Sequence, residues 1–207
     1  MKISPSIYSS DLMHVADELS FADRYFEHLH IDIQDGVFSE VTLPMKLVRQ
    51  ICDNTKSKVS VHLQVMDPMI YLEDIASLKN LEIVHIHVGH LEKPLEVLKA
   101  YRDKGLRVGL GLSNRDLGKD IDELLEHVDS IITLTAYIED PDQLYSKTME
   151  DLIVEVKKKK AVETWADGGI KIDMLEHLEN IGIDYTVMGR AVFRNKDHID
   201  ELSPRYR

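Results

Sequence analysis

Apolar and polar positions along this chain follow two rhythms that take turns almost without a break. Short runs that are apolar throughout, or at every second residue, predict strands at residues 3–7, 28–34, 58–65, 82–88, 107–112, 130–135, 162–166 and 185–188. Between them lie stretches whose apolar residues recur three and four apart, the spacing of a one-sided helix. The first spans 11–23, with Leu12, Val15, Ala16 and Leu19 on its apolar stripe. Others follow at 44–54, 69–79, 94–104, 119–127, 149–160 and 172–180, and a last one near 197–202. Pro68 supplies a start signal, and Gly105 and Gly182 supply stops.

About eight strand–helix units in series is the number that closes a parallel barrel, and 207 residues is enough chain for one. An open, doubly wound sheet shows the same alternation. The count, and the lack of a glycine-rich turn after the first strand, favour a single α/β domain over 1–207, a (β/α)8 TIM barrel. No shift in composition marks a second domain. In such a barrel the chemistry belongs at the C-terminal ends of the strands.

Composition changes this picture little. A hydrophobic content of 43% suits a packed core. Lys and Arg number 25 against 37 Asp and Glu, leaving −12, which argues against a nucleic-acid surface because phosphate backbones need a basic footprint. It does not exclude a small phosphorylated substrate, which needs only local donors. The lysine run 157–160 falls at a helix end, where cations suit the macrodipole, and reads as solvated surface. Cys52 is the lone cysteine, so neither an internal disulfide nor a paired-cysteine zinc motif is available. No run resembles a signal peptide or a membrane span, so the expected setting is the cytoplasm, with no membrane partner.

The candidate chemistry sits on alternating strand positions. His30 and Asp32 share a face near the C-terminal end of the second strand. His62 lies on the third strand, and Asp167 ends the seventh, followed by Gly168 and Gly169. An inward imidazole beside an inward carboxylate is costly unless paired or bound to a cation. Two imidazoles and two carboxylates suit one divalent ion, Zn²⁺ first, with Fe²⁺, Mn²⁺ or Co²⁺ as alternatives. A single strand histidine is more often a hydrogen-bonded core residue, so the argument rests on the set of four. His87 is expected to line the barrel, while His28, His85 and His90 are left as structural or exposed. The pairs His28/His30 and His85/His87 also admit a metal-dependent hydrolase. Ser6 has no paired base and is not a nucleophile.

Five segments, in this order and at these intervals, make the chain resemble the ribulose-phosphate 3-epimerase family. They are Ile3-Ser4-Pro5-Ser6-Ile7, His30-Ile31-Asp32-Ile33-Gln34-Asp35-Gly36, Val61-His62-Leu63, Asp167-Gly168-Gly169-Ile170 and Met188-Gly189-Arg190-Ala191-Val192-Phe193. The resemblance implies that His30, Asp32, His62 and Asp167 hold the metal and that Asp32 and Asp167 are the catalytic acid and base. It implies that Ser6 and His62 meet the substrate and that Gly168, Gly169, Gly189 and Arg190 receive its phosphate. The implied reaction is inversion of carbon 3 of a phosphorylated ketose through an enediolate. Ribulose 5-phosphate and xylulose 5-phosphate, or a related pentulose or hexulose phosphate, are the expected substrates.

The chain also departs from the family pattern. Gln34 and Gln64 stand where the family has methionine, so two apolar caps become amides. Val37-Phe38-Ser39-Glu40-Val41 rewrites the family's His-Phe-Val-Pro-Asn. Residues 136–142, with Glu139, Asp140 and Asp142, replace a glycine-rich loop. Carboxylates turned inward there would repel a phosphate, and Arg190 could compensate with a charge-assisted contact. A family member that binds a sugar phosphate without turnover is the competing expectation. Homo-oligomer formation stays open.

Overall fold

The computed structural model describes residues 1–37, 40–138 and 142–207, with the side chains of His198 and Glu201 left aside. Eight strands form one parallel sheet: β1 (Lys2–Pro5), β2 (His28–Gln34), β3 (Lys58–Gln64), β4 (Leu81–His87), β5 (Val108–Leu112), β6 (Ser130–Leu134), β7 (Glu163–Asp167) and β8 (Tyr185–Met188). Their order is β1-β8-β7-β6-β5-β4-β3-β2. Among the described residues, the ring between β1 and β2 is joined by one isolated bridge, Ser6 to His30. The expected TIM barrel is the observed fold. Among the described residues no helix is long and apolar enough to cross a membrane.

The helices are α1 (Val15–Tyr25), α2 (Met45–Asn54), α3 (Leu72–Ala76), α4 (Pro94–Asp103), α5 (Asp122–Leu125), α6 (Lys147–Lys159), α7 (Leu175–Asn180), α8 (Arg190–Phe193) and α9 (Ile199–Tyr206). Several are shorter than periodicity predicts, because their first turns are 3-10. Leu12–His14, Pro68–Tyr71 and Ile172–Met174 each precede an α-helix. Asp11 and Asp67 accept from the amides of Met13 and Met69, so a local side-chain turn replaces the first α-helical bonds. The stretch predicted over 119–127 keeps only α5, because Asp120 accepts from the amide of Asp122 and diverts the chain ahead of it.

Each strand divides its residues by parity. Leu29, Ile31 and Ile33 of β2 and Val59, Val61 and Leu63 of β3 face outward into the main core, which they share with Phe26, Val48 and Ile51. Each fully buried aliphatic side chain stabilises the fold by about 1.5–3 kcal/mol. The inward positions are different in kind. Ile83, Ile132, Trp165 and Val187 make a separate cluster with Tyr185, whose ring stacks on Trp165 at 4.0 Å. Beneath it Glu82 lies 3.0 Å from His28 and 3.3 Å from Lys58, and Trp165 donates to Glu163 at 2.8 Å. An aromatic and ionic floor therefore fills the N-terminal half of the barrel. The polar inward residues above it are left at the strands' C-terminal ends.

Candidate active site

Strand pairing assembles the site. Asp32 pairs in register with His62, and Asp167 with Val187, so their side chains rise on the inner face at similar height. His30 Nε2 lies 3.4 Å from Asp32 Oδ1 and 3.8 Å from Asp167 Oδ2. His62 Nδ1 lies 3.6 Å from Asp32 Oδ1 and 3.0 Å from Asp167 Oδ2. One ligand atom from each of these four residues lies within 4.8 Å of the other three. Both imidazoles are fully buried, while the carboxylates are 13% and 15% exposed. All four residues singled out in the sequence are thus brought to one point.

A second ring of groups holds them. Ser6 donates to Asp32 Oδ2 at 2.7 Å. His30 Nδ1 meets Ser60 Oγ at 2.8 Å, and His62 Nε2 meets His87 Nε2 at 2.9 Å. Gln64 Nε2 lies 3.2 Å from His62 Nδ1. Sequence reasoning missed Ser60 and gave His87 no partner. The available signal was parity, since Ser60 shares a face with His62, and His85 with His87. His28 and His85 are buried within the barrel, so of the two readings left open for them the structural one holds.

The charges are coupled. Burial alone would raise the Asp32 carboxyl, but the charge and hydrogen bonding of His30 and then of His62 hold it well below the usual range. Burial would lower His62, yet Asp167 and then Asp32 raise it to about 9. His85 and His87 are pushed well below their ordinary value, by burial first and by neighbouring imidazoles after it. The two carboxylates thus favour a charged His62 between them, while burial disfavours charge on His85 and His87.

The cluster sits in a cleft of about 1250 Å³ at the barrel mouth. Ser6, Gly168, Gly169, Gly189 and Arg190 all line it, as do Gln34 and Gln64. Gly168 and Gly169 have φ of 110° and 70°. A Cβ on Gly169 would come within 2.7 Å of the Gln143 carbonyl, so glycine there lets the rewritten loop press against the β7 turn. Arg190 donates to Gln143 Oε1 at 3.0 Å. Lys171 and Arg194 line the same end, unforeseen from the sequence, and Asp142 lines it with them. Glu139 and Asp140, expected to matter here, lie outside the described residues, as do Phe38 and Ser39.

A model described as the ribulose-phosphate 3 epimerase family matches residues 2–193. The ribulose-phosphate 3-epimerase of Helicobacter pylori is 27% identical over 95% of this chain and 93% of its own length. The cytoplasmic isoform from Oryza sativa subsp. japonica is 26% identical over 93% of this chain and 87% of its own. Among solved structures, a phosphoribosyl anthranilate isomerase from Thermococcus kodakaraensis superposes with a TM-score of 0.66 at 14% identity, covering 99% of this chain and 98% of that one. A mutant tryptophan synthase α-subunit from Pyrococcus furiosus gives 0.70 at 11% identity, over 98% and 95%. The structural likenesses bear on the barrel alone.

Proposed function

Because the chain belongs to the ribulose-phosphate 3-epimerase family, we propose that it inverts carbon 3 of a phosphorylated ketose by proton transfer between Asp32 and Asp167. The observation that carries this is the meeting of the two carboxylates with two buried imidazoles at the floor of one cleft. The curated relatives named as ribulose-phosphate 3-epimerases support ribulose 5-phosphate and xylulose 5-phosphate as the first pair to test.

The four residues fit a divalent ion. His30 Nε2 is buried with no well-formed hydrogen bond, its nearest carboxylate oxygen 3.4 Å away, a costly state for an imidazole nitrogen unless a ligand takes its lone pair. His30, His62 and one oxygen from each aspartate would hold the ion. Imidazole and carboxylate together suit Zn²⁺, with Fe²⁺, Mn²⁺ and Co²⁺ sharing that preference. When bound, it would supply Lewis-acid stabilisation of the negative charge that gathers on the sugar oxygens once a proton leaves carbon 3.

The chain's own groups do the rest. Inversion requires that a proton leave one face of the carbon and another arrive at the opposite face. That calls for two carboxylates on different strands, and β1 and β8 stand between those bearing Asp32 and Asp167. The Ser6 hydroxyl fixes Asp32 through Oδ2 while Oδ1 faces the imidazoles, so the carboxylate is oriented before substrate arrives. The amides of Gly168, Gly169 and Gly189 and the guanidinium of Arg190 would receive the phosphate. Gln34 and Gln64 would offer amides to hydroxyls of the sugar.

Ketose phosphates incubated in deuterated water test the reading by NMR. The expected outcome is deuterium at carbon 3 with the parent protein, and its loss by about 10²–10⁴-fold in Asp32→Asn and in Asp167→Asn. An Asp167→Asn variant that still epimerises would refute the two-aspartate mechanism. A parent that binds ketose phosphate without exchange would identify a non-catalytic binder.

A further inference from the structure

We infer that His87 is a positioning residue that holds His62 with its Nε2 protonated, keeping His62 Nδ1 aimed at Asp32 and Asp167. The inference rests on the metal reading above and extends it to the strand beyond the ligands. His62 Nε2 and His87 Nε2 are 2.9 Å apart, in rings whose centroids are 5.0 Å apart and whose planes differ by 25°. Nitrogens closer than centroids mean that the rings meet edge to edge, as a hydrogen bond requires. One proton lies in such a contact, so one imidazole donates and the other accepts.

In the metal reading His62 is the donor, because Nδ1, which faces the carboxylates at 3.0 and 3.6 Å, is the nitrogen that would give its lone pair to the ion. An imidazole that binds an ion through Nδ1 must carry its proton on Nε2, and a buried Nε2–H needs an acceptor. His87, 2% exposed on β4, supplies that acceptor with its own proton on Nδ1.

Strand β5 is built around this ring. Gly111 pairs in register with His87, and a Cβ at Gly111 would lie 2.6 Å from His87 Cδ2 and 2.8 Å from its Nε2. The ring therefore lies across the backbone of β5, in a slot that any side chain at 111 would fill. Gly109 leaves the same slot for His85, one layer down, whose Nε2 meets Ser130 Oγ at 2.8 Å. Two glycines on one short strand thus fix two imidazoles, and the upper one reaches the site.

Two measurements test this. In metal-free protein labelled with ¹⁵N-histidine, a scalar coupling through the hydrogen bond should join His62 Nε2 to His87 Nε2, with the one-bond N–H coupling on His62 Nε2. In calorimetric titrations with Zn²⁺, His87→Phe, which keeps a ring but no acceptor, should bind about 10–100-fold more weakly than the parent. His87→Gln, whose amide oxygen accepts, should stay within a few-fold of the parent, and Gly111→Ala should behave like His87→Phe. A general packing role would weaken both His87 variants alike, and that result overturns the inference. So does an absent coupling, or parental Zn²⁺ affinity in His87→Phe. A parent that shows the coupling yet binds no Zn²⁺ overturns the metal reading and the consequence drawn for His87, and leaves only the hydrogen bond.

Discussion

Arg190 is exposed, yet its guanidinium is directed along the cleft wall by its bond to Gln143. A charge-assisted contact from that position would be worth about 1.5–3 kcal/mol. Arg190→Gln should therefore raise KM for a phosphorylated ketose by about 10–100-fold and leave kcat nearly unchanged, since the contact is equal in ground and transition states. Steady-state kinetics on matched phosphorylated and unphosphorylated sugars reads this directly, and an equal effect on both would refute a phosphate contact. At this scale the sequence was informative wherever a residue type and a strand parity coincided, as for His30, Asp32, His62 and Asp167. Ser60 carries no chemical signature of its own. Its bond to His30 becomes visible only when β2 and β3 are laid side by side in register.

Among the elements, α1 is tied to the start of β3 by one carboxylate. Asp23 accepts from Thr55 Oγ1 at 2.6 Å, from the amides of Lys56 and Ser57 at 3.0 and 3.1 Å, and from Ser57 Oγ at 2.8 Å. Burial acts to raise its carboxyl, and these bonds outweigh burial and lower it. A folded-state value below the unfolded one gives stability that is complete above the unfolded value, about 3.9, and is lost as pH falls through the folded value. Urea unfolding should show Asp23→Asn weaker than the parent by about 1–3 kcal/mol at neutral pH. The difference should shrink as pH drops below about 4, and a gap unchanged down to strongly acidic pH would refute the assignment. Helix lengths were less legible than strand positions. Periodicity reports which residues face the core, and a 3-10 turn capped by Asp11 or Asp67 can present the same face as an α-helical one.

For the molecule as a whole, closure is uneven. Among the described residues, β2 pairs with β3 along seven residues, while β2 and β1 meet through one bridge, at Ser6 and His30. The eight-strand count gave the barrel away in the sequence, but no local pattern says which join is thinnest, because that depends on the register accumulated around the ring. Hydrogen exchange should find the amides of β2 opening before those of β3, and Ser6→Ala should widen the gap. Equal protection in the two strands would contradict this account.

That thin join holds the residue on which the proposed chemistry depends. The hydroxyl crossing it is the one that orients Asp32, so the bridge that clasps the cylinder and the bond that aligns a reacting group both belong to Ser6. Heat or denaturant strong enough to loosen the clasp would idle the catalyst while the other seven joins still stood, and turnover would fade before the fold did.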